Sequence, residues 1–290
     1  MLSLRIVDRV VARLTQALAP PRGPLIPFMV DGHEAGYLTP ERAAWMSELA
    51  DVFTLDDGVL RFVRHLDSFA SRTGAVASVT RMLAGRRALT HWRNERYRVS
   101  PSLDGAPLFD IERAAARYFG IATHAAHVNA TGDAGDARMW IARRSGSKPV
   151  DAGLLDNLVG GGVAAGMSIA DTVVKEAWEE AGIDERLARD ARRSGTVRLF
   201  REQPDGIQRE TVHVFDLDLP RGFVPSNQDG EVAEYRLAMI EDVVTWIAND
   251  EGRNVVTADA SLVIVDWLLR HDRVPRSWPA FATLSRLRGG

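Results

Sequence analysis

The sequence predicts a mixed α+β fold in two parts, and three observations carry that reading. Short strand signals joined by tight turns fill the first part, and strands mixed with amphipathic helices fill the second. A change of pattern near residue 120 separates them. The chain has 290 residues, 46% hydrophobic and 26% charged, enough apolar surface for a sizeable core. That composition excludes a disordered, collagen-like or coiled-coil chain. No fixed-period repeat is visible, so solenoids and propellers are excluded as well.

The elements follow in order. Met1 to Pro20 reads as an amphipathic helix, with Leu4, Val7, Val11, Leu14 and Leu18 on one face and Pro20-Pro21 as its stop. Phe28-Met29-Val30, Asp31-Gly32 and the run to Leu38 read as a hairpin, and a second centres on Asp56-Asp57-Gly58. Thr39 before Pro40-Glu41-Arg42 marks a helix N-cap with proline at the first position. Helices are expected over Ser68–Leu83 and Ile111–Phe119, with His91–Val99 extended between them. Beyond Thr123, Ala126–Asn129 and Met139–Arg143 are strand-like and flank Thr131-Gly132-Asp133, a turn signal. Leu154–Val159 is a further strand, running into Gly160-Gly161-Gly162. A helix over Ile169–Ala181 precedes strands at Thr196–Arg201, Glu210–Leu219 and Val232–Ala238, and helices at Ile240–Asn249 and Ala258–His271 follow.

The formal charge of −3 gives no basic excess, so neither nucleic acid nor an anionic membrane is expected as a partner. The absence of cysteine excludes disulfides, thiolate metal sites, iron–sulfur clusters and a cysteine nucleophile. It fits a reducing cytosol, and a cytoplasmic protein is expected. Any metal must be held by oxygen or imidazole. No run approaches the roughly 20 apolar residues that cross a bilayer.

The chemistry is concentrated between Gly160 and Ile183. Ser168 with Asp171 resembles a capping box that starts a helix, and Gly182 can end it in the left-handed conformation. Ile169, Val173, Val174, Ala177, Trp178 and Ala181 are expected on one apolar face, with Glu176, Glu179 and Glu180 opposite. Three crowded carboxylates repel one another, and become favourable around a hard divalent cation. A solvated helix face explains the same three residues without a metal. The glycine run allows close backbone approach, and a turn there would bring the acidic face to a diphosphate.

This stretch resembles the signature of the Nudix hydrolases, in which a glycine precedes a helix carrying Arg-Glu-apolar-x-Glu-Glu-x-Gly-apolar. Gly161, Glu176, Glu179, Glu180 and Gly182 match it; Lys175 stands where the family usually has arginine, and Met167 where it has a loop glutamate. Further segments resemble one branch of the family: Phe28 to Gly32, His91 to Glu95, Ile111 to Ala115, Trp140 to Ser145, Leu155 to Val159, Asp229 to Val232 and Asp266 to His271. That branch is related to fungal and plant thiamine pyrophosphokinase-linked proteins with an extra N-terminal domain. The resemblance implies an α+β accessory domain over residues 1–120, a Nudix α/β/α sandwich over 121–275 and a C-terminal tail over 276–290. It implies magnesium-assisted attack by water on a diphosphate, with Mg2+, or alternatively Mn2+, as cofactor. The implied substrate is a small organic diphosphate, thiamine diphosphate or its oxidised or damaged analogues, cut to the monophosphate. Nudix domains often dimerise, so a homodimer is compatible with the family.

Glu179 and Glu180 are the best candidate metal ligands, with Glu176 third. One of these three, or a carboxylate from elsewhere, must also accept a proton; of the outside candidates Glu231, at a turn entering a strand, is preferred over Glu234, so Glu179, Glu180 and Glu231 are the catalytic candidates. A surface carboxylate is the plainer explanation of Glu231. Arg143, Arg144 and Lys148 could neutralise the distal phosphate alongside Gly161 and Gly162, with only one of the two arginines facing the site. A surface salt bridge would account for that pair equally. Lys175 is expected as a structural partner of a carboxylate. His124 and His127 are three apart on a strand, which argues against a shared metal and favours ordinary buried or rim histidines. Trp92, Arg93, Asn94 and Glu95 could stack on a heteroaromatic ring, but packing between the two parts is the favoured explanation. The alternatives are an oxidised guanine nucleoside-diphosphate phosphatase and a non-hydrolytic Nudix-fold ligand-binding protein. A Nudix-fold isomerase would need a cysteine and is excluded.

Overall fold

A computed structural model describes residues 2–132 and 137–289 of the chain. Asp133 of the expected turn lies outside the described residues, as do Met1 and Gly290 at the ends of the expected first helix and tail. The first helix, α1 (Leu4–Ala17), is capped by Ser3 and buries Val7, Val10 and Leu14. Two hairpins follow, β1 (Ile26–Val30) with β2 (His33–Leu38), and, after α2 (Pro40–Ser47), β3 (Phe53–Asp56) with β4 (Val59–Phe62). Asp31-Gly32 and Asp57-Gly58 all have positive φ, the turn geometry that matches strand twist. Strands β1 and β4 pair in parallel, closing a four-stranded sheet. Helix α3 (Phe69–Gly85) packs its Val76, Val79 and Leu83 into the same core as that sheet.

Two expectations fail in the next stretch. Of His91–Val99 only Arg96–Val99 is a strand, β5, because His91 and Asn94 take left-handed turns (φ 66° and 57°). Ile111–Phe119 is not a helix. Phe109–Glu112 forms β6, antiparallel to β5, and only a short 3-10 turn over Arg113–Ala115 follows. The pairing of Ile111 with Tyr97 overrides the local helical pattern.

The second part is built on a seven-stranded mixed sheet. Its strands are β7 (Ala122–Thr131), β8 (Arg138–Arg144), β9 (Leu155–Asn157) and β10 (Val159–Gly162), then β11 (Arg192–Gln203), β12 (Gly206–Asp218) and β13 (Val232–Met239). Helices α4 (Ile169–Ala181) and α5 (Glu185–Ala188) lie between β10 and β11, and α6 (Ile240–Ile247), α7 (Ala258–Arg270) and α8 (Pro279–Leu287) close the chain. Val173, Ala177 and Ala181 of α4 pack on Ala126 and Val128 of one sheet face. Leu262 and Val263 of α7 pack with Ala125, Val212 and Val214 of the other. The sheet is therefore sandwiched between helices. No helix among the described residues is long and apolar enough to cross a membrane.

The two ends of the chain meet. Helix α1 shares a core with α6, α7 and α8, and Arg13 donates to the Ile247 carbonyl (2.8 Å) and the Ser261 hydroxyl (3.1 Å). Residues 4–17 thus pack with the second part although they begin the first. Residues 276–290, expected as a tail, contain α8, which buries Ala280 and Leu284. The core of the first part proper runs from Phe28 to Ile121.

This packing gives a direct test. Leu14 is 0% exposed and Leu4 is 45% exposed on the same helix. Leu14→Ala is expected to cost about 2–5 kcal/mol in urea unfolding, and Leu4→Ala less than about 0.5 kcal/mol.

Candidate functional site

The glycine run is not a turn. Gly160, Gly161 and Gly162 form β10, paired antiparallel with His127, Ala126 and Ala125 of β7, and none of the three has positive φ. Alternation along the strand sends successive positions to opposite faces. On one face, a Cβ at Gly161 would fall inside the Glu176 carboxyl group. On the other, a Cβ at Gly160 would press on the His127 ring and one at Gly162 on the Tyr97 hydroxyl. Close approach from both sides is what demands glycine here.

Helix α4 spans the expected residues. Ser168 Oγ accepts from the Asp171 N–H at 3.0 Å, and Gly182 ends the helix in the left-handed region (φ 63°). The expected division of its faces is wrong in two places. Trp178, expected inside, is 51% exposed, while Glu180, expected outside, is 6% exposed. With about 100° per residue, Glu180 falls between Glu176 and Val173, in the middle of the inner face. Two of the three glutamates therefore face the glycine strand.

Glu180 Oε2 accepts from the Gly160 N–H at 2.8 Å, and its Oε1 lies 3.4 Å from Lys148 Nζ. Burial pushes this carboxyl up to about 7, against the opposing pull of Lys148 and the Gly160 amide. Lys148, only 8% exposed, also pairs with Glu231, which in turn lies 3.5 Å from Arg93. Glu180, Lys148 and Glu231 are thus brought together. Lys175 Nζ lies between Glu176 Oε1 (3.0 Å) and Glu179 Oε2 (2.7 Å). Burial opposes the charge of Lys175, but Glu179 and Glu176 outweigh it and raise its pKa. Burial also raises the Glu176 carboxyl.

Among the described residues, no group of three or more acidic or histidine side chains is gathered as a ready metal cage. The donor chemistry nonetheless suits a hard divalent cation: three carboxylates, of which Glu176 and Glu179 already converge on one ammonium group. Glu176, Glu179 and Glu180 are the residues that would hold it.

The two arginines separate. Arg144 lines the cavity beside β10 and pairs with Asp156 (2.7 Å). Arg143 does not reach it. It is consumed by Glu234 (2.9 Å), the carbonyls of Gly153 and Arg253 (2.8 Å each) and Asn254 (3.0 Å). Glu234 is likewise committed, held down to about 2 by hydrogen bonds from Arg236 and Arg143.

The cavity, of about 190 Å³, lies where the first part covers the sheet. Arg93, Tyr97, Arg113 and Arg117 of the first part meet His127, Gln208, Arg209 and Asp259 of the second around it. Arg113 pairs with Glu95 (2.6 Å) and stands over the Tyr97 ring, and Arg209 pairs with Glu34 (2.8 Å). Arg209 Nη1 is buried without a hydrogen-bond partner. Tyr97, Arg113, Arg117 and Arg209 were not expected from the sequence. They lie far from the glycine–glutamate segment, and only the docking of the two parts brings them to it.

Gly161→Ala is expected to lower activity at least about tenfold by displacing Glu176, while Gly146→Ala, in open space, leaves it unchanged in the same assay. The folded Glu180 carboxyl holds its proton more tightly than the ordinary value of 4.5. Between about 4.5 and 7 the folded state therefore binds more protons than the unfolded one, and stability falls as pH rises. Chemical denaturation across that window should show a decline of up to about 1.4 kcal/mol per pH unit from this group, flattened in Glu180→Gln.

Comparison with known proteins agrees with this geometry. Residues 122–258 match the family model "NUDIX domain", and residues 10–123 match "Domain of unknown function (DUF4743)". Nudix hydrolase 24, chloroplastic, of Arabidopsis thaliana is 36% identical over 272 residues, covering 92% of this chain and 74% of that protein. Nudix hydrolase 20, chloroplastic, of the same plant is 36% identical over 259 residues, covering 86% and 68%. Among solved structures, the MutT protein from Methanosarcina mazei Go1 is 22% identical with a TM-score of 0.39, covering 52% of this chain and 94% of its own. The chain belongs to the Nudix hydrolase family and carries an additional N-terminal domain.

Proposed function

We propose that the protein hydrolyses the diphosphate of a small organic molecule, thiamine diphosphate or an oxidised or damaged analogue, to the monophosphate. The observation that carries the reading is that Glu176 presses on one face of β10 and Glu180 takes its Gly160 N–H while a cavity lined by arginines opens on the other face. The organic end occupies the cavity and the phosphates pass the edge of the glycine strand to reach α4. Sequence similarity over the N-terminal domain as well as the Nudix domain supports treating both as one substrate site.

Glu176, Glu179 and Glu180 would hold a divalent cation, Mg2+ or Mn2+, which when bound would supply charge neutralisation and a more acidic water. The chain's own groups do the rest. Arg144 and Arg93 orient the phosphates by charge-assisted hydrogen bonds. Lys148, paired with Glu180 and Glu231, places an ammonium group beside the acidic helix for the phosphates. Glu231, on the protein surface beside Lys148, accepts the proton of the attacking water at its carboxylate. Arg113 and Tyr97 close the cavity behind the organic end and keep bulk water from it.

Phosphate release with magnesium tests the reading on thiamine diphosphate, its oxidised analogues and oxidised guanosine diphosphate. Metal-dependent release is expected, highest on the thiamine compounds, with Glu179→Gln/Glu180→Gln at least about a hundredfold slower. Preference for the guanine nucleotide would replace the substrate, and tight binding without release would mark a ligand-binding protein.

A further inference from the structure

His127 is a buried titratable group that the proposed chemistry leaves unused. It lines the cavity, is 9% exposed, and lies against Gly160. Its Nδ1 is 3.0 Å from Asn157 Oδ1. Which atom carries the proton there follows from the far end of a hydrogen-bond chain. Arg270 donates to both oxygens of Asp216, at 2.5 and 2.9 Å, so both oxygens of this carboxyl group act as acceptors. Asn129 must then turn its Nδ2 toward Asp216 Oδ1, at 3.2 Å, where it also reaches the Val263 carbonyl at 3.5 Å. That leaves Asn129 Oδ1 to accept from Asn157 Nδ2, at 3.2 Å. Asn157 Oδ1 therefore faces His127, and an amide oxygen can only accept.

His127 thus carries its proton on Nδ1. In the neutral ring Nε2 is a bare lone pair, and no protein group among the described residues hydrogen-bonds to it. The two asparagines are 1% and 2% exposed, so water does not compete for the chain.

We propose that His127 is a specificity-determining residue whose Nε2 accepts a hydrogen bond from an N–H or O–H group on the organic part of the bound diphosphate. Asp216, Asn129 and Asn157 are positioning residues that set this polarity through the tautomer of the ring. The proposal rests on the reading that the cavity takes the organic end. A ligand that presents only an acceptor meets a lone pair with a lone pair, and two unpaired buried groups cost more than one missing contact.

Two measurements decide it. Long-range proton–nitrogen correlation spectra of the free protein at about pH 8 report the tautomer without any ligand. A protonated Nδ1 with a bare Nε2 is expected, relaxing to a mixture in Asn157→Ala; an Nε2–H ring in the unmodified protein overturns the proposal. The second compares hydrolysis of thiamine diphosphate with that of its analogue carrying hydrogen in place of the pyrimidine amino group. The unmodified protein is expected to favour the amino compound by about ten- to a hundredfold in kcat/KM, and His127→Phe to bring the two within about twofold. Equal rates before substitution, or a preference that survives it, overturn the assignment. Failure to hydrolyse either compound removes the proposed substrate, and the ring spectrum of the unmodified protein then supports or overturns the tautomer by itself.

Discussion

Three consecutive glycines of a single strand, β10, separate the acidic helix from the cavity, and the rest of the site depends on how thin that partition is. Any residue other than glycine at position 161 would put a carbon atom where the Glu176 carboxyl lies, and positions 160 and 162 are pressed by His127 and Tyr97. Among the described residues β10 pairs with β7 alone, and the Gly160 N–H is taken by Glu180. The backbone thus serves as both wall and hydrogen-bond donor. A strand with ordinary side chains would hold α4 several ångströms away, and the carboxylates would lose their common edge with the cavity.

The charges around α4 show why the site tolerates such crowding. Three glutamates at helical spacing repel one another, and burial makes the charged forms of Glu176 and Glu180 costly. Lys175 offsets the outer pair and Lys148 the innermost member. The lysine at the usual arginine position thus keeps a cation on Glu176 and Glu179 without a planar fork. Met167, in place of a loop glutamate, leaves the helix start intact because Ser168 caps it independently.

Much of this was legible in the sequence, for identifiable reasons. The Asp-Gly turns, the Ser168 cap and the Gly182 stop are local signals, and the elements they bound appear where expected. The glycine–glutamate spacing pointed to β10 and α4, which the structure brings together. What failed was set by tertiary contacts. The Ile111 segment became a strand because Tyr97 was available to pair with it. The inner face of α4 was misjudged because a buried glutamate looks, in sequence, like a solvated one, and only the facing glycines reveal the space made for it. Arg143 and Arg144 could be separated in principle by strand alternation, but which of them faced the cavity required the partners Glu234 and Asp156.

The N-terminal domain has its own core, yet it is joined to the sheet by polar contacts concentrated beside the cavity. The Arg117 carbonyl accepts from the Ile207 N–H at 2.8 Å, Arg209 pairs with Glu34, and Arg42 donates to the Asp205 carbonyl at 3.1 Å. These contacts hold Arg113 and Arg117 over the same sheet face from which His127 projects. The acidic helix is complete within the second part of the chain, whereas the cavity is not. The carboxylates and the cavity therefore have separate structural sources: the glycine–glutamate segment gathers the first, and the docking of the two parts forms the second. The two meet at the backbone of β10 and along the chain of ion pairs from Glu180 through Lys148 and Glu231 to Arg93, so the cavity wall and α4 are coupled at those points.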